Sequence, residues 1–352
     1  MRYVSRAFHR LCTAFAAVSL VTGCGGGGGG GSRSAGTNGL PAFTGVWTIV
    51  FENHSADYIL KHADANHFRT LASTYATAGN YSDVTHPSLP NYIEMACGCN
   101  DKHDSWTVHD YPASNLITSN PNRLFKDPSL GGQLEAAGVE WRAYGQDSTP
   151  GSTLGPCTMH NQGEYVSRHV PFLYFQDVFG TQTDPYGARD PFGVPLDPNA
   201  IPVCINRVHP FGNFLEVPGN PNPSGDFYTD LGNRSMDYYW ITPDLIYDMH
   251  DGTVADGDYF LGVVTEQIMR SPQWKNGGVI FITFDEGDLD LLDQVLFIAV
   301  SPLAKHGYSS PIAYNHSNFL ATVEDIYGLP RLGRAQGVPN MADLFESPNS
   351  GG

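Results

Sequence analysis

Val279-Ile280-Phe281-Ile282-Thr283-Phe284-Asp285-Glu286-Gly287-Asp288 is the stretch on which the fold turns. An uncharged, β-prone run stops abruptly at two adjacent carboxylates. An unbroken apolar run of this length reads as a strand buried on both faces, the kind that parallel sheets contain. Val46-Trp47-Thr48-Ile49-Val50-Phe51 repeats the pattern near the start of the folded region and stops at Glu52-Asn53-His54-Ser55. In a parallel α/β sheet, ligands sit beyond the carboxyl ends of the strands. Glu52, Asn53, Asp285 and Glu286 are therefore expected together at one sheet edge. Adjacent acids repel and are desolvated there, and a divalent cation relieves both costs, so these four are the expected metal ligands. Asp288, Asp290 and Asp293 do not have EF-hand spacing and are read as surface acids or a secondary ion site.

Between these runs lies His86-Pro87-Ser88-Leu89-Pro90-Asn91-Tyr92. The two prolines predict a turn, with a helix beginning near Tyr92. Ser88 is the expected nucleophile and Thr85 its competitor. A free hydroxyl attacks poorly, and a bound cation would activate it and neutralise phosphoryl oxygens. Backbone amides after Ser88 and the Asn91 side chain are the expected phosphate contacts. The chain holds thirteen histidines. His250, in Asp248-Met249-His250-Asp251, is the first choice to assist the leaving group, with Asp251 to orient it. His169 follows, and His316, in Asn315-His316-Ser317, is expected to touch substrate.

Around these motifs the sequence predicts strands at 46–51, 139–144, 238–242, 279–284 and 295–300. Helices are predicted at 63–78, 92–96, 131–137, 259–269 and 318–327. The segment 150–225 reads as a long, Pro- and Gly-rich loop insertion. Strands alternating with helices imply a mostly parallel sheet covered on both faces, in one domain spanning 41–347.

Residues 1–23 read as an export signal: Arg2, Arg6 and Arg10 precede a short apolar run that is too brief to span a bilayer. Val21-Thr22-Gly23-Cys24 is similar to a bacterial lipoprotein box, with Cys24 lipidated. The glycine run that follows makes 24–40 a flexible tether. The expectation is an exported protein, held by a lipid anchor at the outer membrane or in the periplasm, or released outside the cell. The chain carries a net charge of −17; removing the signal, with three arginines and no acid, gives −17 − 3 = −20. That acidity argues against nucleic acid as a partner and leaves the lipid anchor as the membrane contact. Cys97, Cys99, Cys157 and Cys204 remain of six cysteines, and four allow three pairings. Cys157 with Cys204 is the favoured bridge, and the two-residue spacing of Cys97 and Cys99 reads as awkward for a mutual one.

Glu-Asn-His-Ser, Pro-Ser-Leu-Pro-Asn-Tyr, Asp-Met-His-Asp and Ile-Thr-Phe-Asp-Glu-Gly-Asp, in that order, resemble the phosphoesterase family of bacterial acid phosphatases and phospholipases C. The branch of secreted acid phosphatases acting on phosphatidylinositol 3-phosphate looks most similar. The resemblance covers about 44–332. It implies an alkaline-phosphatase-like, three-layer α/β/α sandwich and one divalent metal on Glu52, Asn53, Asp285 and Glu286. It also implies a phosphoserine intermediate on Ser88 and phosphate contacts from His169 and His250. The Ser88 turn also looks like the Thr-Phe-Pro-Asn-His turn of nucleotide pyrophosphatases. The sulfatase signature would need Arg where Tyr92 stands. The second metal set of two-metal alkaline phosphatases is not recognisable.

The function expected is hydrolysis of phosphate monoesters, on a phosphorylated small molecule or a phospholipid. The alternatives are a phosphodiesterase or phospholipase C acting on lipid headgroups, and a non-catalytic calcium-binding surface lipoprotein. The metal stays open among Ca, Mg, Mn, Zn and Fe.

Overall fold

The computed structural model describes residues 38–99, 110, 112–113, 124–148, 157, 161–179, 201–214, 223–288 and 294–347. The signal, Cys24, most of the tether, and Asp290 and Asp293 lie outside the described residues.

Among the described residues the strands are β1 (Val46–Phe51), β2 (Ala76–Ser82), β3 (Trp141–Gly145), β4 (Val208–Pro210), β5 (Tyr238–Thr242), β6 (Val279–Phe284), β7 (Phe297–Val300) and β8 (Ser309–Asn315). They form one 8-stranded sheet in the order β4-β3-β5-β1-β6-β7-β2-β8. β7 runs antiparallel to both its neighbours, β6 and β2. The other pairings are parallel. β1 is central, in register with β6 from Val46–Val279 to Phe51–Phe284. All residues of β1, β5 and β6 are buried, as their uncharged runs require.

Side chains alternate across a sheet with a period of two, and aromatic rings anchor helices on both sides of it. Phe51 meets Phe68 of the helix Asn66–Thr74 at 5.1 Å and Phe260 of the helix Val254–Arg270 at 6.3 Å. On the opposite face Trp240 meets Tyr92 of the helix Ser88–Cys97 at 6.3 Å, and Phe281 meets Phe319 of the helix His316–Tyr327 at 5.9 Å. Glu52 and Asp285 continue β1 and β6 one residue further, and the amide of Asp285 still donates to the Phe51 carbonyl at 3.0 Å. Parity therefore turns both carboxylates toward the face that carries Ser88.

Several expectations need correction. The segment 63–78 is not one helix: the helix ends at Thr74, and Ala76–Ser82 is β2. Its small residues hid a strand that is stabilised by pairing between β7 and β8 rather than by its own propensity. The helix behind the nucleophile turn starts at Ser88, not near Tyr92. Pro90 is tolerated because amides in a first helical turn have no intrahelical partner. β4 and β8 are short or polar edge strands that the sequence did not reveal. Cys157 and Cys204 are bonded, as expected, and Cys97 and Cys99 are bonded too. Gly98 between the latter caps its helix with a φ of +61°, and that left-handed turn brings the two Cα atoms to 5.2 Å.

Candidate active site

The carboxyl ends of β1, β6 and β5 and the start of the helix Ser88–Cys97 meet at one point. The Ser88 hydroxyl donates to Glu52 Oε2 at 2.9 Å and lies 3.4 Å from Glu286 Oε1. The Tyr92 hydroxyl, one helical turn on, donates to Glu52 Oε1 at 2.7 Å. His169 bridges two acids, with Nε2 2.9 Å from Glu52 Oε1 and Nδ1 3.1 Å from Asp248 Oδ2, and its ring stacks on Tyr92 at 5.0 Å. Asn53 takes a φ of +22° as the chain leaves β1, and its amide donates to Asp285 Oδ1 at 3.2 Å. Glu52, His169, Asp248 and Asp285 are fully buried.

The charges fall into two groups. Burial by itself would raise the Glu52 carboxyl, but His169 and Arg168 outweigh it and hold Glu52 below the ordinary range. Burial likewise works against the His169 imidazolium, and Glu52 and Asp248 reverse that and raise it. His169 thus stands as an imidazolium between Glu52 and Asp248, while burial still holds the Asp248 carboxyl up at about 6. Asp285 has no such partner, and Glu286 has only the half-buried His86, whose Nδ1 is 3.1 Å from Oε2, and the Asn91 amide at 3.4 Å among the described residues. Burial, then the charges of Glu52 and Glu286, push Asp285 well above its ordinary value. Burial, then Glu52, pushes Glu286 up to about 9. Asp285 Oδ2 is buried with no hydrogen-bond donor among the described residues. Buried carboxylates with raised pKa values, facing a hydroxyl and a half-buried Asn53, fit a hard divalent cation. The buried Glu52, His169 and Asp248 group also has ligand atoms close enough together to hold a metal ion.

Other residues singled out in the sequence are placed differently. The Asn91 side chain is buried and serves the turn: its oxygen accepts from the amides of Val84 and Thr85, and its nitrogen donates to the Thr85 carbonyl at 2.6 Å. His316 is also buried, with Nε2 2.6 Å from the Asp285 carbonyl and Nδ1 2.9 Å from the Tyr81 hydroxyl. Both ring nitrogens of His316 face protein atoms, and Asn91 Nδ2 is also 3.4 Å from Glu286 Oε2, so in this structure the two side chains contact the Ser88 turn, Glu286 and the end of β6. Burial depresses His316 to about 4, so its ring is neutral. His250 is exposed, with Nδ1 2.7 Å from Asp251 Oδ1. Asp288 pairs with His54 at 3.2 Å rather than with the cluster.

The sequence reading missed Asp248, Tyr92, His86 and Arg168 as members of the site. His86 Nδ1 is 3.1 Å from Glu286 Oε2. Asp248 stands two residues before His250, and Tyr92 and His86 flank Ser88. Each lay inside a quoted motif without a signal for its role.

A mostly parallel α/β sheet whose carboxyl edge gathers buried acids, a bridging histidine and a serine hydroxyl is the scaffold of an ester hydrolase rather than of a binding module. The Phosphoesterase family model matches residues 49–204 and 209–330, and the chain belongs to that family. It is 27% identical over 310 residues to the phosphatidylinositol-3-phosphatase of Mycobacterium tuberculosis, covering 87% of this chain and 84% of that protein. It is 25% identical over 312 residues to a probable acid phosphatase of Kluyveromyces lactis, covering 86% of this chain and 62% of the yeast protein. For an acid phosphatase of Aspergillus fumigatus the figures are 24%, 86% and 59%. The chain thus spans less than two thirds of these fungal relatives. A Vibrio parahaemolyticus protein of the alkaline phosphatase superfamily shares the fold, with a TM-score of 0.50 and 11% identity, covering 87% of this chain and 72% of that one. Among the described residues, no helix is long and apolar enough to cross a membrane.

Proposed function

We propose that this protein is a metal-dependent phosphatase that hydrolyses phosphate monoesters through a phosphoserine on Ser88. The observation that carries the reading is the Ser88 hydroxyl lying 2.9 Å from Glu52 and 3.4 Å from Glu286, beside Asp285, whose Oδ2 is buried with no hydrogen-bond partner among the described residues. Glu52, Asn53, Asp285 and Glu286 are the residues that would hold a divalent ion. They are favoured over Glu52, His169 and Asp248 because both ring nitrogens of His169 already face the acids of that group, Nε2 to Glu52 and Nδ1 to Asp248. The bound ion would supply a lowered serine pKa and neutralisation of phosphoryl oxygens.

The protein's own groups do the rest. Glu52 Oε2 accepts the hydrogen bond of the Ser88 hydroxyl and so orients it for attack. Tyr92 and His169 hold Glu52 in place, and Asp248 fixes the far side of the His169 ring. His250, exposed and oriented by Asp251, is the histidine that assists departure of the alkoxide. The helices on the two faces of the sheet are read as outer layers of an α/β/α sandwich. The substrate class is a phosphorylated small molecule or a phosphoinositide, in line with the name of the mycobacterial relative. Export with a lipid anchor on Cys24 belongs to the same proposal.

The test is hydrolysis of p-nitrophenyl phosphate from pH 4 to 9, with chelator and with single divalent ions restored, beside Ser88→Ala. Turnover that needs an ion and vanishes in the variant is expected. Turnover that survives Ser88→Ala, or full activity in chelator, would sink it.

A further inference from the structure

Arg168 immediately precedes His169, and both flanks of the turn Ser167–His169 are fixed. The Ser167 amide donates to Asn161 Oδ1 at 3.0 Å, and Thr242 Oγ1 donates to the His169 carbonyl at 2.9 Å. The direction of the Arg168 side chain, which is 12% exposed, follows from this clamp. Its Nη2 lies 3.3 Å from His250 Nε2. Arginine cannot accept a hydrogen bond, so His250 Nε2 is the acceptor there and Nδ1–H faces Asp251. Its Nε is buried with no hydrogen-bond partner among the described residues, since the nearest acid atom, Asp110 Oδ2, is 3.9 Å away. Asp110 Oδ1 in turn accepts from the amide of Leu89, the residue after Ser88, at 2.9 Å. Among the described residues the guanidinium therefore lies between Asp110, which holds the Leu89 amide, and His250, with Nε unpartnered. A fixed planar fork of this kind fits two oxygens of one phosphoryl group and keeps its charge at every working pH.

We infer that Arg168 is a specificity-determining residue that makes this site prefer the dianionic phosphate of a monoester to the monoanion of a diester. The inference rests on the phosphatase reading above. Near neutral pH a phosphate monoester carries close to two negative charges, whereas a diester carries one and has an alkoxy group in place of a bare oxygen. A second bare oxygen pairs with the Arg168 fork beside His250; an ester oxygen there gives the fork no charge to neutralise. The influence of the Arg168 charge on Glu52 places the guanidinium within electrostatic reach of the reacting centre.

The experiment measures kcat/KM for p-nitrophenyl phosphate and bis(p-nitrophenyl) phosphate on the metal-loaded protein at pH 7.5. Wild type is compared with Arg168→Met, Arg168→Gln and Arg168→Lys, with inorganic phosphate as competing inhibitor. In the Met and Gln variants the monoester-to-diester preference is expected to fall about 10- to 100-fold, with phosphate inhibition weakened alongside. Lys restores part of the preference, because the charge returns without the fork. Arg168→Gln keeps a donor to His250, so it reads the preference even where Met disturbs the turn. A parallel loss on both esters, or an unchanged preference, overturns the inference while leaving the phosphatase reading intact. Wild-type protein that neither cleaves a monoester nor binds phosphate overturns both.

Discussion

Glu286→Gln should make the metal-free protein more stable at alkaline pH. Glu286 has a folded pKa of about 9 against an ordinary value of 4.5, so the folded state binds a proton that the unfolded chain releases. For a group raised in this way, its contribution to stability is fully present below pH 4.5 and is lost as pH rises toward 9. The slope is about 1.4 kcal/mol per pH unit inside that window, or on the order of 4 kcal/mol between pH 5 and 8. Asp285 is raised by burial and then by Glu52 and Glu286, and adds to the trend. Gln at 286 fills nearly the same volume with no proton to lose. In chelator, the variant should therefore melt several degrees above wild type at pH 8 and match it at pH 5. Adding the divalent ion should reverse the ranking, since the cation stabilises ionised Glu286. The assay is thermal melting of both proteins from pH 5 to 9, with chelator or ion. Identical pH slopes for wild type and variant in chelator would refute the claim that Glu286 is stressed by unpaired charge.

Further outcomes follow from the same geometry. Tyr92→Phe removes a 2.7 Å hydrogen bond to Glu52 but keeps the ring on His169; kcat should fall about tenfold, with melting lowered by about 1 kcal/mol, and an unchanged kcat would deny Tyr92 its role in holding Glu52. His169→Gln leaves Asp248 and Glu52 without the imidazolium between them; it should destabilise the fold by about 3–5 kcal/mol as a broken buried ion pair, measured by urea titration. Cys157→Ser opens a bridge with a sequence separation of 47 residues; a loss of about 2–4 kcal/mol is expected, and no change in denaturation midpoint would show that the bridge does not restrain the unfolded chain.

The sheet's centre was legible because burial on both faces leaves a direct trace in composition. β1, β5 and β6 fall where their apolar runs predicted. β2 and β8 did not, because each is held by its neighbours rather than by its own residues, and Ala76-Thr77-Ala78 favours no single state. The same division runs through the site. Ser88, Glu52, Asp285 and Glu286 were expected together because strand ends and a proline turn mark them locally, and the structure brings them to one place. Asp248 and Arg168 were not, because nothing local distinguishes an acid that meets a histidine across the sheet from one in a solvated loop.

The sequence by itself determined the α/β class, the placement of acids at strand ends and the hydroxyl between prolines, since each follows from short-range periodicity and turn chemistry. Only the tertiary structure decided which acids face His169 and which do not, and that the Asn91 and His316 side chains are buried against protein partners. Those outcomes depend on register between β1 and β6 and on distances across chain separations such as 36 residues from Glu52 to Ser88 and 198 from Ser88 to Glu286. Over such separations, burial and electrostatics are set by packing rather than by neighbours in the chain.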